Sequence, residues 1–127
     1  MKKELREKIY QKYSGHCAYC GKEIAYKDMQ VDHYFPQQLK HLPDGDINSF
    51  ENLMPSCAKC NNHKGGMQIS EWRGELSLQV ERLRKNAQFD RALRFNQIQT
   101  TESNIYFYFE TYKWYWRDYE ILRHTRM

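Results

Sequence analysis

The 127-residue sequence has no apolar run long enough to span a membrane, no internal repeat and no low-complexity tract. A membrane-spanning helix, a solenoid and a disordered linker are thereby excluded as its organising element. It opens on Met1-Lys-Lys-Glu-Leu-Arg, a charged helix start rather than an apolar leader, so a secreted domain built on disulfides is not the expectation. Cysteine is scarce: the four present form two Cys-x-x-Cys pairs, Cys17/Cys20 and Cys57/Cys60, with none left over. Neither charge sign dominates, since Lys+Arg 20 against Asp+Glu 16 leaves +4, a balance that attracts polyanions without identifying one. With 40% hydrophobic and 28% charged residues the composition is that of an ordinary globular protein, and residues 1–127 read as one domain.

A two-residue gap lets one turn offer two thiolates to the same ion, and zinc takes four such ligands tetrahedrally. The pairs therefore predict a four-cysteine zinc site, with two disulfides as the competing reading. Ordinary zinc ribbons separate their pairs by about 15–20 residues. Here residues 21–56 intervene, and a functional insert explains the excess. A core of this size is marginal, so a metal joining distant segments should supply much of the folding free energy.

Periodicity places these residues on elements. Leu5, Ile9 and Tyr10 recur at helical spacing between Lys2 and Tyr13, and Ser14-Gly15 supplies the stop. Residues 29–35 alternate like a strand that ends before Pro36, with Asp32 and His33 on opposite sides if it stays regular. Residues 37–51, including Pro43-Asp44-Gly45, read as a long loop, and Asn52-Leu-Met-Pro as a short strand. Ser56 is the expected N-cap of a short helix over Cys57–Lys64, closed by Gly65-Gly66. On that helix Cys57 and Cys60 can share an ion, while Asn61 is turned about 100° from Cys60. A long helix capped by Ser70 carries Trp72, Leu76, Val80, Leu83 and Ala87, and a further helical stretch covers Asp90 to Phe95.

The end of the chain differs in composition. Eight of the twelve residues 105–116 are aromatic, against 15% overall. Such a segment serves either as a strand packed on the long helix or as a stacking platform for splayed bases, and core packing is the expectation. Trp114, Tyr115 and Trp116, beside Lys113 and Arg117, are the exposed exceptions.

Taken together, Cys17-x-x-Cys20-Gly21, Val31-Asp32-His33-Tyr34-Phe35-Pro36, Glu51-Asn52-Leu53 and Cys57-x-x-Cys60-Asn61-x-x-Lys64-Gly65 resemble the HNH endonuclease family. The resemblance covers roughly residues 14–66. It implies an α+β fold with a ββα-metal core, a β-hairpin plus a short helix. Around that core stand four-cysteine zinc knuckles, an N-terminal helix, a long C-terminal helix and an aromatic terminal strand, residues 67–127 forming the extension.

The resemblance also implies roles. His33 matches the general base, Asp32 the metal ligand before it, Asn52 the middle asparagine and Asn61 the last motif position. Asparagine stands there in place of the histidine that supplies the family name's last letter, and the step from Asn52 to Asn61 matches the family's interval. His63, two residues on, competes as the ligand, and otherwise contacts phosphate or supports the site. The chemistry suits these residue types. An imidazole with its ordinary pKa of about 6.5 can accept a proton from water at physiological pH. A carboxylate and an amide oxygen suit Mg²⁺ or Mn²⁺. Asn52 would hold the loop around His33 by hydrogen bonds, and Lys64 would meet a phosphate oxygen.

The implied activity is metal-dependent hydrolysis of DNA phosphodiesters in the cytoplasm of a bacterial or phage-type host cell. DNA would be held mainly through its phosphates, from Lys64 and from Arg73, Arg82, Arg84 and Lys85. The alternative is a zinc-stabilised nucleic-acid-binding or protein-interaction module without catalysis, a protein partner then docking on the aromatic C-terminal segment. No functional role falls to His16, His41 or His124.

Overall fold

The computed structural model describes residues 1–39 and 45–112. Helix α1 spans Lys3–Gln11 and buries Ile9, as its amphipathic spacing requires. It stops where Ser14 and Gly15 take positive φ values of 55° and 81°, a turn that glycine adopts freely but that leaves Ser14 in the disfavoured left-handed region. Strands β1 (Gln30–His33) and β2 (Leu53–Ser56) pair antiparallel, with Asp32 opposite Met54 and His33 opposite Leu53. Pro55 is tolerated in β2 because each strand of a two-stranded sheet is an edge. Its carbonyl accepts from Ala18 N at 2.8 Å, which ties β2 to the first cysteine turn.

Strand alternation divides the core. Leu53 packs with Ile9 and Met29, whereas neighbouring Met54 joins Tyr13, Cys17, Tyr19, Ile69, Trp72 and Phe107. Helix α2 (Ala58–Lys64) follows β2 directly and lies against β1, completing the hairpin-plus-helix unit. Its cap is Cys57, whose sulfur accepts from Cys60 N, not Ser56. Ser56 closes β2, fully buried, with its hydroxyl donating to the Cys57 carbonyl. Gly65, at φ 52° and ψ −129°, ends α2 in a conformation that side chains avoid.

The long C-terminal helix is instead broken into α3 (Ile69–Ser77), α4 (Gln79–Arg84) and α5 (Ala87–Arg94). Between α3 and α4 the backbone stays helical at Leu78, but Asn86 leaves the helical region and its side chain caps α5 at Phe89 N. Ser70 lies inside α3, which starts after Gln68 without a side-chain cap. No residue of α4 or α5 is buried.

The expected aromatic strand is also absent over residues 105–112. Phe107, 2% exposed, stacks on Trp72 at 5.0 Å, and a one-turn helix α6 (Tyr108–Thr111) follows. Core packing is thus the role of Phe107, with Tyr108, Phe109 and Tyr112 packed against the same cluster, whereas Tyr106 is exposed. A strand does not form because Tyr108 N and Phe109 N donate to the Tyr19 and Ala18 carbonyls of the cysteine turn, and Glu110 folds back to accept from Phe107 N. Lys113, Trp114, Tyr115, Trp116 and Arg117 lie outside the described residues, as do His41, Pro43, Asp44 and His124. Among the described residues no helix is long and apolar enough to cross a membrane.

Candidate active site and metal centres

The two cysteine pairs meet although they are far apart in sequence. All four Sγ atoms lie within 4.8 Å of one another, and those of Cys20 and Cys57 are 3.9 Å apart. Tetrahedral bonds of ~2.3 Å to one ion imply S···S edges of about 3.8 Å, whereas a disulfide would bring sulfurs to about 2.05 Å. All four are free thiols, so the disulfide reading does not hold. Cys17 ionises far below an ordinary thiol, at about 4, first because the Cys60 thiol hydrogen-bonds it, and Cys60 is pushed up for the same reason. A divalent ion bound among the cysteines would take all four as thiolates. Among the described residues the four form the one group of three or more His, Cys, Asp or Glu side chains gathered this closely.

The candidate catalytic residues lie where α2 packs on β1. Asn61 Nδ2 donates to Gln30 Oε1 at 2.7 Å, which leaves Asn61 Oδ1 as the oxygen available to a cation. One turn later Lys64 Nζ lies 3.0 Å from Asp32 Oδ2 and donates to the His33 carbonyl at 2.9 Å. Lys64 is only 1% exposed. This corrects the expectation of a phosphate contact, because the ammonium is buried as the counter-charge of Asp32. The Tyr19 hydroxyl also donates to Asp32 Oδ2. Burial, then the negative charge of Asp32, raises the Tyr19 pKa, so the phenol remains a donor. Both partners of Asp32 engage Oδ2, and Oδ1 is the oxygen left for a cation. A carboxylate and an amide oxygen form a hard donor set fitting Mg²⁺ or Mn²⁺.

His33 Nε2 meets Asn48 Oδ1 at 2.8 Å. An amide oxygen only accepts, so the imidazole carries its proton on Nε2 and keeps the Nδ1 lone pair. Asn52 is 3% exposed and devotes its amide to the loop after β1. Its Oδ1 accepts from Phe35 N at 2.8 Å, and its Nδ2 donates to the Phe35 and Ile47 carbonyls at 3.1 and 2.7 Å. His63 Nδ1 accepts from the Trp72 indole at 2.7 Å. That bond places the proton on Nε2, leaving neither nitrogen of the neutral ring a lone pair for a metal.

Four supporting residues escaped the sequence. Lys12 Nζ donates to the Phe50, Glu51 and Leu53 carbonyls at 3.0, 3.3 and 3.0 Å, fixing the turn that carries Asn52. Tyr19, Gln30 and Asn48 hold Asp32, Asn61 and His33. Only Tyr19 carried a signal, as an aromatic inside a cysteine turn whose hydroxyl would need a partner once buried.

Residues 17–66 match the model of the HNH endonuclease family. Over 74 residues the chain is 31% identical to the CRISPR-associated endonuclease Cas9 of Corynebacterium diphtheriae, covering 58% of this chain and 6% of that protein. Over 56 residues it is 36% identical to the Cas9 of Actinomyces naeslundii, covering 44% and 5% respectively. The crystal structure of the Type II-C Cas9 enzyme from Actinomyces naeslundii superposes with a TM-score of 0.47 at 28% identity, covering 57% of this chain and 7% of that one. The aligned part is thus a small fraction of each relative's length.

Proposed function

Residues 17–66 belong to the HNH endonuclease family, and from that premise we propose that this chain hydrolyses DNA phosphodiester bonds with His33 as general base. One observation carries the reading. The α2–β1 crossing directs Asn61 and Lys64 at the strand bearing Asp32 and His33, while Asn48 holds His33 in the tautomer with a basic Nδ1.

Nδ1 would accept the proton of the attacking water, and the Nε2–H···Oδ1 bond to Asn48 would stabilise the imidazolium as it forms. Asn52 keeps the loop after His33 from drifting, which preserves the angle of attack. Asp32 Oδ1 and Asn61 Oδ1 would hold one Mg²⁺ or Mn²⁺, which when bound supplies a Lewis acid for the phosphate and the departing 3′ oxygen. Lys64 and Tyr19 hold Asp32 in place through its Oδ2. The four cysteines would bind zinc as a closed structural site, which suits a reducing, cytoplasmic compartment.

Plasmid cleavage tests the proposal. Protein with verified zinc content should convert supercoiled DNA in Mg²⁺ or Mn²⁺ and stop in EDTA under conditions that leave zinc bound. Sustained cleavage without a free divalent ion would refute it. Binding without cleavage under every metal condition would point to the non-catalytic module instead.

A further inference from the structure

Tyr19 occupies an unusual junction. In sequence it lies between Cys17 and Cys20, yet its hydroxyl reaches out of the thiolate cluster to the Asp32 carboxylate on β1. Its backbone is anchored on both sides, because Tyr108 N donates to its carbonyl at 2.9 Å and neighbouring Ala18 N donates to Pro55 O at 2.8 Å. Its ring is boxed by Trp72, Phe107 and Phe109 at centroid distances of 5.1, 5.9 and 6.2 Å. The phenol therefore cannot swing away without opening the aromatic core. The same turn that brings Cys17 and Cys20 to the cluster sets the point from which the hydroxyl meets Asp32.

We propose that Tyr19 is a positioning residue that couples the four-cysteine site to the second metal centre, orienting the Asp32 carboxylate so that Oδ1 faces the divalent cation. The inference rests on the reading of Asp32 as a ligand of that cation. Donors that orient a metal-binding group typically contribute about 10–100-fold to metal affinity or activity, as their removal by mutation shows. A tyrosine that merely fills space would contribute nothing to that affinity once a phenylalanine replaced it.

The test is Mn²⁺ binding, read from the electron paramagnetic resonance signal of free Mn²⁺, on zinc-loaded wild type, Tyr19→Phe and Asp32→Ala. The proposal expects Tyr19→Phe to keep its zinc and melting cooperativity while binding Mn²⁺ about tenfold more weakly, and Asp32→Ala to bind more weakly still. Weakened binding in Asp32→Ala with wild-type affinity in Tyr19→Phe overturns the role of Tyr19 and leaves Asp32 as ligand. Wild-type affinity in both variants overturns the ligand reading and the inference with it.

Should Tyr19→Phe lose zinc, 3-fluorotyrosine at position 19 preserves the donor and gives a second readout. Its fluorine resonance should move on titration with Mg²⁺ and stay still when Asp32 is alanine. A resonance indifferent to Mg²⁺ in the otherwise unaltered protein overturns the coupling.

Discussion

Lys64 and Asp32 form an ion pair at 3.0 Å with side-chain exposures of 0% and 8%, so the last turn of α2 is locked to the strand that carries the catalytic candidates. Removing one member of a buried pair leaves the other charge uncompensated, at a typical cost of about 3–5 kcal/mol. Lys64→Met is therefore expected to destabilise the protein on that scale in chemical denaturation at fixed zinc content. It should also lower cleavage more than it lowers DNA affinity. Loss of DNA affinity with stability intact would restore Lys64 to the phosphate-binding role.

The Asn48 contact to His33 is exposed, which makes it separable from folding. Asn48→Ala should change stability by no more than about 0.5 kcal/mol. It should slow single-turnover cleavage roughly tenfold, part of the ~10²–10⁴ that a positioned base supplies. Asn48→Asp, which keeps the acceptor, should retain most of the rate. Equal rates for all three proteins would mean that His33 needs no orienting partner.

Much of this site could be read from residue order, and the remainder could not for identifiable reasons. Paired cysteine spacing identifies a metal cluster because few other uses of four thiols fit it, and the Asp32, His33, Asn52 and Asn61 pattern identifies the hairpin and helix. Lys64 misleads because lysine near a helix terminus normally faces water. Only the depth of α2 against β1 reveals the carboxylate beneath it. The partner of His63 is hidden likewise, since Trp72 reaches its ring from a different helix. Asn48 and Gln30 act through contacts set by loop and strand geometry, for which sequence offers no period. In the aromatic segment the burial of Phe107 follows from composition, but backbone bonds to Ala18 and Tyr19 decide helix over strand.

The four-cysteine site should hold one zinc per chain, with X-ray absorption giving four sulfur neighbours at about 2.3 Å. Structural zinc sites contribute on the order of 10–16 kcal/mol of apparent free energy, so Cys57→Ser or strong chelation should unfold the chain rather than merely slow it. Retention of a cooperative fold after complete zinc removal would contradict this assignment.

DNA binding should follow phosphate charge, and the ion pairs refine which cations contribute. Arg73 spans α3 to the terminal segment, donating to the Ile105 carbonyl at 2.6 Å and to both Glu110 oxygens at 2.8 and 2.7 Å. Arg73→Ala should therefore lower stability while leaving affinity nearly unchanged, whereas Lys85→Ala should weaken every duplex alike and reduce the log–log salt slope by about 0.9. A salt series on unrelated duplexes with His33→Ala protein in EDTA, zinc content verified, measures this. A roughly thousandfold preference for one sequence would establish base readout instead.

The most direct test of the account is the single-turnover rate of duplex cleavage in Mn²⁺ by wild type and His33→Ala, each with one zinc bound and the same melting transition. His33 as general base predicts a fall of about 10²–10⁴ with DNA affinity unchanged. A His33→Ala protein that cleaves at the wild-type rate would contradict the account.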